Sequence, residues 1–356
     1  MRWAAILLVA LPLLLLLLAA VSTMVGASDT SRNLLRGIRY LLAVELALLL
    51  VLACVGAIYE ALSRSRERAL YQPPGKLIDI GGYRLHLYCS GEGGPTVVLD
   101  YGLEGSYLDW YRVQPEIAGF TRVCSYDRGG YGWSDPSPKP RLPSVMVEEL
   151  HTLLAQAGER PPYLVVGHSF GGFDALMFAH KYREEVAGVV VVDGSHPDEW
   201  LPFPWRSRLW YRVMEMTMPL GLPRWRRWCG TRPPEIAAIK QAISCRSQVR
   251  RTAYRQRSAF AAGATEVRNL GTLGDLPLVV IARDADRPPA DPMDRLFSQR
   301  EKQWNTLQQK LVELSRDATF IVAKGSGHDV PLQRPDVIAA VVQTMVEKVK
   351  QKSQSP

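Results

Sequence analysis

The sequence has no zinc-finger, RRM-like or other basic nucleic-acid recognition pattern, so its formal net charge of +8 does not point to DNA or RNA. An anionic membrane surface is the simpler partner for that charge. Internal repeats are also absent, and residues 73–356 then fit one large domain with an insertion better than two independent ones. Histidine is scarce, with six in the chain, which keeps the candidates for a general base few. Charge is nearly missing from two long runs in the first part of the chain.

That first part, residues 1–72, reads as a membrane anchor with two apolar helices, at about 3–27 and 38–62. Trp3 to Val21 is almost unbroken Leu, Ala, Ile and Val, and from Tyr40 to Tyr59 the second run carries a single charge, Glu45. Each run can cross roughly 30 Å of hydrocarbon. The first can instead be read as a signal peptide, with Arg2 ahead of it and the small residues Val25-Gly26-Ala27 as a cleavage site. Arg32, Arg36 and Arg39 between the runs and Arg64, Arg66 and Arg68 behind them argue against buried soluble helices. Two readings of topology stay open. A hairpin in the membrane slightly favours a cytoplasmic catalytic domain. Cys89, Cys124, Cys229 and Cys245, an even number outside the apolar runs, favour export and two disulfides, unless they are buried free thiols.

Residues 73–356 alternate short strand-like runs with helical patterns. Strands are expected at Leu77–Ile80, Arg84–Tyr88, Thr96–Asp100, Arg122–Tyr126, Tyr163–Gly167, Gly188–Asp193, Leu278–Ala282 and Thr319–Ala323. The later ones are continuously apolar, as parallel strands covered on both faces must be. Gly81-Gly82 between the first two predicts a hairpin and an antiparallel edge. From about 197 to 268 the strand pattern stops, and the natural reading is a helical cap. This stretch holds 14 Lys and Arg against 5 Asp and Glu, with Trp200, Trp205, Trp210, Trp225 and Trp228 among them. Such a mixture suits the lipid interface, or a pocket roof with a basic rim, or a solvated lid whose tryptophans fill its own core.

Gly167-His168-Ser169-Phe170-Gly171 follows an apolar strand and opens a helical run. This is G-x-S-x-G in the context that makes Ser169 a nucleophile, since a serine hydroxyl needs both a sharp, exposed turn and a base. His328, in Gly325-Ser326-Gly327-His328 after the last strand, is the candidate base, with His196 its one rival. His168 should point away from the serine, His151 and His180 lie in helical patterns, and His86 sits in an early strand.

From about Gly75 to the end the chain resembles the α/β-hydrolase superfamily, in particular its bacterial esterase-like branch. Besides the elbow and the final histidine, Asp127-Arg128-Gly129-Gly130-Tyr131-Gly132-Trp133-Ser134 is similar to that family's D-x-R-G-x-G-x-S loop. The resemblance implies an α/β fold with a mostly parallel eight-stranded sheet and a cap inserted after strand 6. It implies an oxyanion hole built from the backbone N–H groups of Leu103 and Phe170. Where the family usually has His-Gly, this chain has Tyr101-Gly102, which leaves the backbone donors in place. The triad acid has two candidates of nearly equal standing: Asp286, with Asp284 close by, after strand 7, and Asp193 at the end of strand 6. The expected activity is hydrolysis of an ester with a modest, largely apolar acyl group, carboxylesterase- or lipase-like, without metal or organic cofactor. A peptidase or thioesterase on the same machinery and a non-catalytic, membrane-tethered lipid-binding protein are the alternatives. The expected partners are a small-molecule or lipid-like ester and the lipids of a bacterial cell membrane.

Overall fold

The computed structural model describes residues 29–199, 203–229, 233–287 and 303–354. The apolar segment at 3–27 and Trp200 lie outside them. The chain divides into two compact units.

The first unit takes the described residues up to Arg66 together with Pro219–Leu222. Its helix belongs to α1, Asp29–Leu70, so Arg32, Arg36 and Arg39 lie in a helix and not in the expected inter-helix loop. Asp29, Thr30, Ser31, Asn33 and Gly37 are weak helix formers, whereas Arg32, Leu34, Leu35 and Arg36 favour the helix. Within α1, Arg36–Leu70 is long and apolar enough to cross a membrane, and none of its most apolar window is buried.

The second unit holds an eight-stranded sheet of order β1-β2-β4-β3-β5-β6-β7-β8. The strands are β1 (Lys76–Asp79), β2 (Arg84–Ser90), β3 (Thr96–Asp100), β4 (Val123–Asp127), β5 (Tyr163–His168), β6 (Val186–Val192), β7 (Leu278–Arg283) and β8 (Ala318–Ala323). β2 runs antiparallel to both β1 and β4, and every other pairing is parallel. All eight strands lie within two residues of their sequence-based positions. At the β1–β2 hairpin Gly81 and Gly82 have φ of 105° and 100°, and both N–H groups donate to Oδ1 of Asp79.

Period-two alternation explains why β5 and β6 are apolar throughout. Val165, Val189 and Val191 face one core, with α3 (Pro143–Ala157), α4 (Gly171–Lys181) and α9 (Phe260–Arg268). Leu164, Val166, Val190 and Val192 face the other, with α2 (Val113–Ala118) and α12 (Pro335–Gln354). Between β6 and β7 the chain forms α5 (Trp205–Thr217), α6 (Leu222–Trp225), α7 (Pro234–Ser244), α8 (Ser247–Ser258) and α9. After β7 come α10 (residues 303–311) and, beyond β8, α11 (Val330–Gln333). The cysteines pair as Cys89–Cys124, on register-matched positions of β2 and β4, and Cys229–Cys245 within the cap, leaving Cys54 free.

Candidate active site

Ser169 sits at the turn from β5 into α4 with φ of 53°, a left-handed conformation that L-residues rarely adopt. The turn is possible because its neighbours have no side chains. A Cβ on Gly167 would lie 2.1 Å from the Gly171 carbonyl oxygen, and one on Gly171 would lie 2.3 Å from that of Asp100. The Ser169 N–H donates to Val192 on β6, and its carbonyl accepts from Gly172 and Ser195, so both flanks of the turn are pinned.

Three side chains converge at the carboxyl ends of the strands. His328 Nε2 is 3.0 Å from Ser169 Oγ, and His328 Nδ1 is 2.5 Å from Oδ2 of Asp193. Asp193 follows β6 with φ of 45° and is fully buried. Its Oδ2 also accepts from Arg283 Nε at 2.8 Å. Its Oδ1 accepts from the Arg283 backbone N–H and from Trp304 Nε1 on α10, at 3.1 and 2.8 Å. Burial alone would raise the Asp193 carboxyl, but Arg283 and His328 outweigh it and hold it well below the usual carboxylate range.

Asp286 is not part of this cluster. It is exposed, and its N–H donates to Oδ1 of Asp284. The reason is the residue that ends β7: Arg283 turns its guanidinium onto Asp193 and fills the space between the strand end and His328. Asp284 instead shapes the histidine loop by accepting from the Gly325 N–H at 2.9 Å. His196, the rival base, accepts from the Asp198 N–H through Nδ1 and is not bonded to Ser169.

The loop after β3 abuts the serine. A Cβ on Gly102 would come within 2.9 Å of Ser169 Cβ. The N–H groups of Leu103 and Phe170 make no hydrogen bond among the described residues, which leaves both donors for a ligand oxygen. Arg128, from the Asp127–Ser134 loop, holds this strand exit in place. It is 4% exposed, donates to the Gly102 carbonyl oxygen and to Asp174 of α4, and lies against Asp100. Asp127 of the same motif accepts from the N–H groups of Tyr107 and Trp133 and pairs with buried His86. Glu104, φ of 61°, is fixed from the cap, where Tyr211 of α5 and Arg250 of α8 both donate to its carboxylate.

Two contributors escaped the sequence reading. His168 does not stand apart from the site. Its Nε2 lies 2.8 Å from the His328 carbonyl oxygen, and its ring packs on Tyr101 and on His328. Burial, followed by the charge of His328, lowers its pKa to about 4, so it is neutral and donates from Nε2. Tyr101, standing where the resemblance has histidine, donates its hydroxyl to Asp329 beside the base. Neither role leaves a motif, because both partners are more than 150 residues away in sequence. A cavity of about 720 Å³, lined by residues such as Arg183, Pro277 and Lys352, opens at the opposite ends of the strands and holds none of these groups.

Fold and strand-end geometry agree with the comparisons, and the chain has the α/β-hydrolase fold. The family profile, described as the alpha/beta hydrolase fold, matches residues 95–232. Among relatives, YbdG of Bacillus subtilis (strain 168), an uncharacterized protein, is 28% identical over 187 residues, 51% of this chain and 57% of that protein. The chain thus spans little more than half the length of that relative. A probable hydrolytic enzyme from Pseudomonas aeruginosa PAO1 has a TM-score of 0.59 at 21% identity, covering 78% of this chain and 95% of that one. A thermophilic esterase from Thermogutta terrifontis has a TM-score of 0.54 at 21% identity, covering 77% and 98%. At such identity the likeness carries the fold alone.

Proposed function

We propose that this protein is a membrane-anchored serine hydrolase that cleaves a carboxylic ester through an acyl-enzyme on Ser169. The observation that carries the reading is the unbroken line from Ser169 Oγ through His328 to the ionised carboxylate of Asp193. Ser169 attacks the ester carbonyl while His328 Nε2 takes its proton, and Asp193 orients the imidazole and stabilises the imidazolium. The oxyanion is received by the N–H groups of Leu103 and Phe170, where loss of one donor costs about 3 kcal/mol. His328 then gives the proton to the leaving alcohol, and water repeats the sequence to free the acid. The helical stretch Arg36–Leu70 supports the anchor.

Labelling with a fluorophosphonate probe tests the chemistry. Folded wild type should label and Ser169→Ala should not. Equal labelling of the two, or none of wild type, removes the enzyme reading. A panel of acyl esters of increasing chain length, with thioester and peptide controls, then tests the substrate class.

A further inference from the structure

The cap exposes an apolar surface that its own packing does not use. α5 carries apolar residues on two sides, with Arg206, Arg208, Arg212 and Glu215 between them. Tyr211, Met214 and, one turn on, Met218 face the protein, with Met214 and Met218 buried against the Cys229–Cys245 disulfide. The other side presents Trp205, Leu209, Trp210 and Met216 to solvent, 66, 53, 50 and 75% exposed. Trp225 and Trp228 extend it beyond α5, at 66 and 40% exposure, and the rings of Trp210 and Trp228 are 5.3 Å apart. Arginines border it, with Arg206 over Trp205 and Arg226 over Trp225 and Trp228. An apolar patch rimmed by polar groups marks an interaction surface.

The chain itself names the partner. Pro219–Leu222, between α5 and Trp225, belongs to the unit of the apolar helix. It lies so close to α1 that a Cβ on Gly56 would come within 2.3 Å of the Leu220 carbonyl oxygen. Gly56 is six residues before Leu62, the end of the apolar run, or about 9 Å along a helix. An interfacial element buries its apolar face about 5–10 Å into the boundary between headgroups and acyl chains. Tryptophan and arginine are the residues that sit at that level.

We infer that the face formed by Trp205, Leu209, Trp210, Met216, Trp225 and Trp228 is seated in the interfacial layer of the bilayer that α1 crosses, with the bordering arginines among lipid phosphates. The partner is a phospholipid surface. Taken with the proposed hydrolase, on which this substrate reading rests, the seating makes a bilayer-dissolved ester the substrate class.

The test uses the full chain in proteoliposomes of phosphatidylcholine and phosphatidylglycerol. An environment-sensitive NBD label is placed at Met216→Cys or, for comparison, at exposed Lys348→Cys on α12, each in a Cys54→Ser background. Shallow doxyl-labelled lipid should quench label 216 severalfold more than label 348. Equal quenching overturns the seating, and the readout needs no turnover, so it stands apart from Ser169 labelling. As a second arm, the double variant Trp205→Glu, Trp225→Glu should lower kcat/KM about tenfold for an ester embedded in the vesicles and leave a water-soluble short-chain ester unchanged. An equal loss on both esters also overturns it.

Discussion

Nη2 of Arg283 lies 2.9 Å from Nδ1 of His328, and both atoms face Oδ2 of Asp193. Arginine has no acceptor, so the imidazole tautomer decides which contact is a hydrogen bond. With a proton on Nδ1, His328 donates to Asp193 and Nε2 is free to accept from Ser169. With Nδ1 bare, it accepts from Arg283, and Nε2–H faces the serine with nothing to take its proton. In the proposed mechanism Asp193 therefore selects the working tautomer against the pull of Arg283. Asp193→Asn should lower kcat by about 10³-fold or more, while Asp286→Asn stays within about twofold. Steady-state rates on one ester decide it, and a large loss at Asp286 would return the acid to β7.

Glu104 connects cap and catalytic loop, because its neighbour Leu103 supplies a proposed oxyanion donor and its carboxylate is held by Tyr211 and Arg250. The left-handed backbone of Glu104 costs on the order of 1 kcal/mol or more and is maintained by those contacts. Glu104→Gln should reduce kcat roughly tenfold with a smaller change in KM. In a double-mutant cycle with Arg250→Gln the coupling should exceed about 0.5 kcal/mol. Additive effects would mean that the cap does not brace the loop.

His168 makes stability depend on pH in a definite direction. Its pKa is about 4 in the folded protein and about 6.5 when unfolded, so between these values the unfolded chain binds more protons. Its contribution is complete above pH 6.5 and is lost as pH falls toward 4, by up to about 3 kcal/mol. Denaturant unfolding of wild type and His168→Gln at pH 7 and pH 5 should show a smaller loss in the variant. The same loss in both would mean that His168 is not held neutral.

The cysteine pairing predicts a count. Alkylation of the denatured, unreduced protein should modify Cys54 alone, and alkylation after reduction all five cysteines, read as mass shifts. Disulfides persist in oxidising compartments, so the same pairing predicts that protease added outside intact cells or spheroplasts reaches the catalytic domain. Protection from it would put the domain in the cytoplasm.

Local signals carried much of this fold and site. Continuous apolar runs marked the buried parallel strands, and G-x-S-x-G between a strand and a helix located Ser169. Gly-rich sequence after the last strand located His328. The choice between Asp193 and Asp286 could not be read locally, since both follow a strand and both precede the final histidine. It turns on where the Arg283 guanidinium goes, a contact across two neighbouring strand ends. Arg32 to Arg39 show the opposite error: charge clustering suggested a loop, and the helix runs through it, with arginine and leucine as good helix formers.

The apolar stretch of α1 changes how the search for substrate is counted. On the proposed reading, with that helix in a bilayer and an ester among its lipids, Ser169 explores a surface and not a volume. Encounter then depends on the mole fraction of ester among the lipids and on lateral diffusion. Diluting the vesicles at fixed composition leaves turnover per enzyme unaltered, whereas adding inert lipid to the same vesicles slows it.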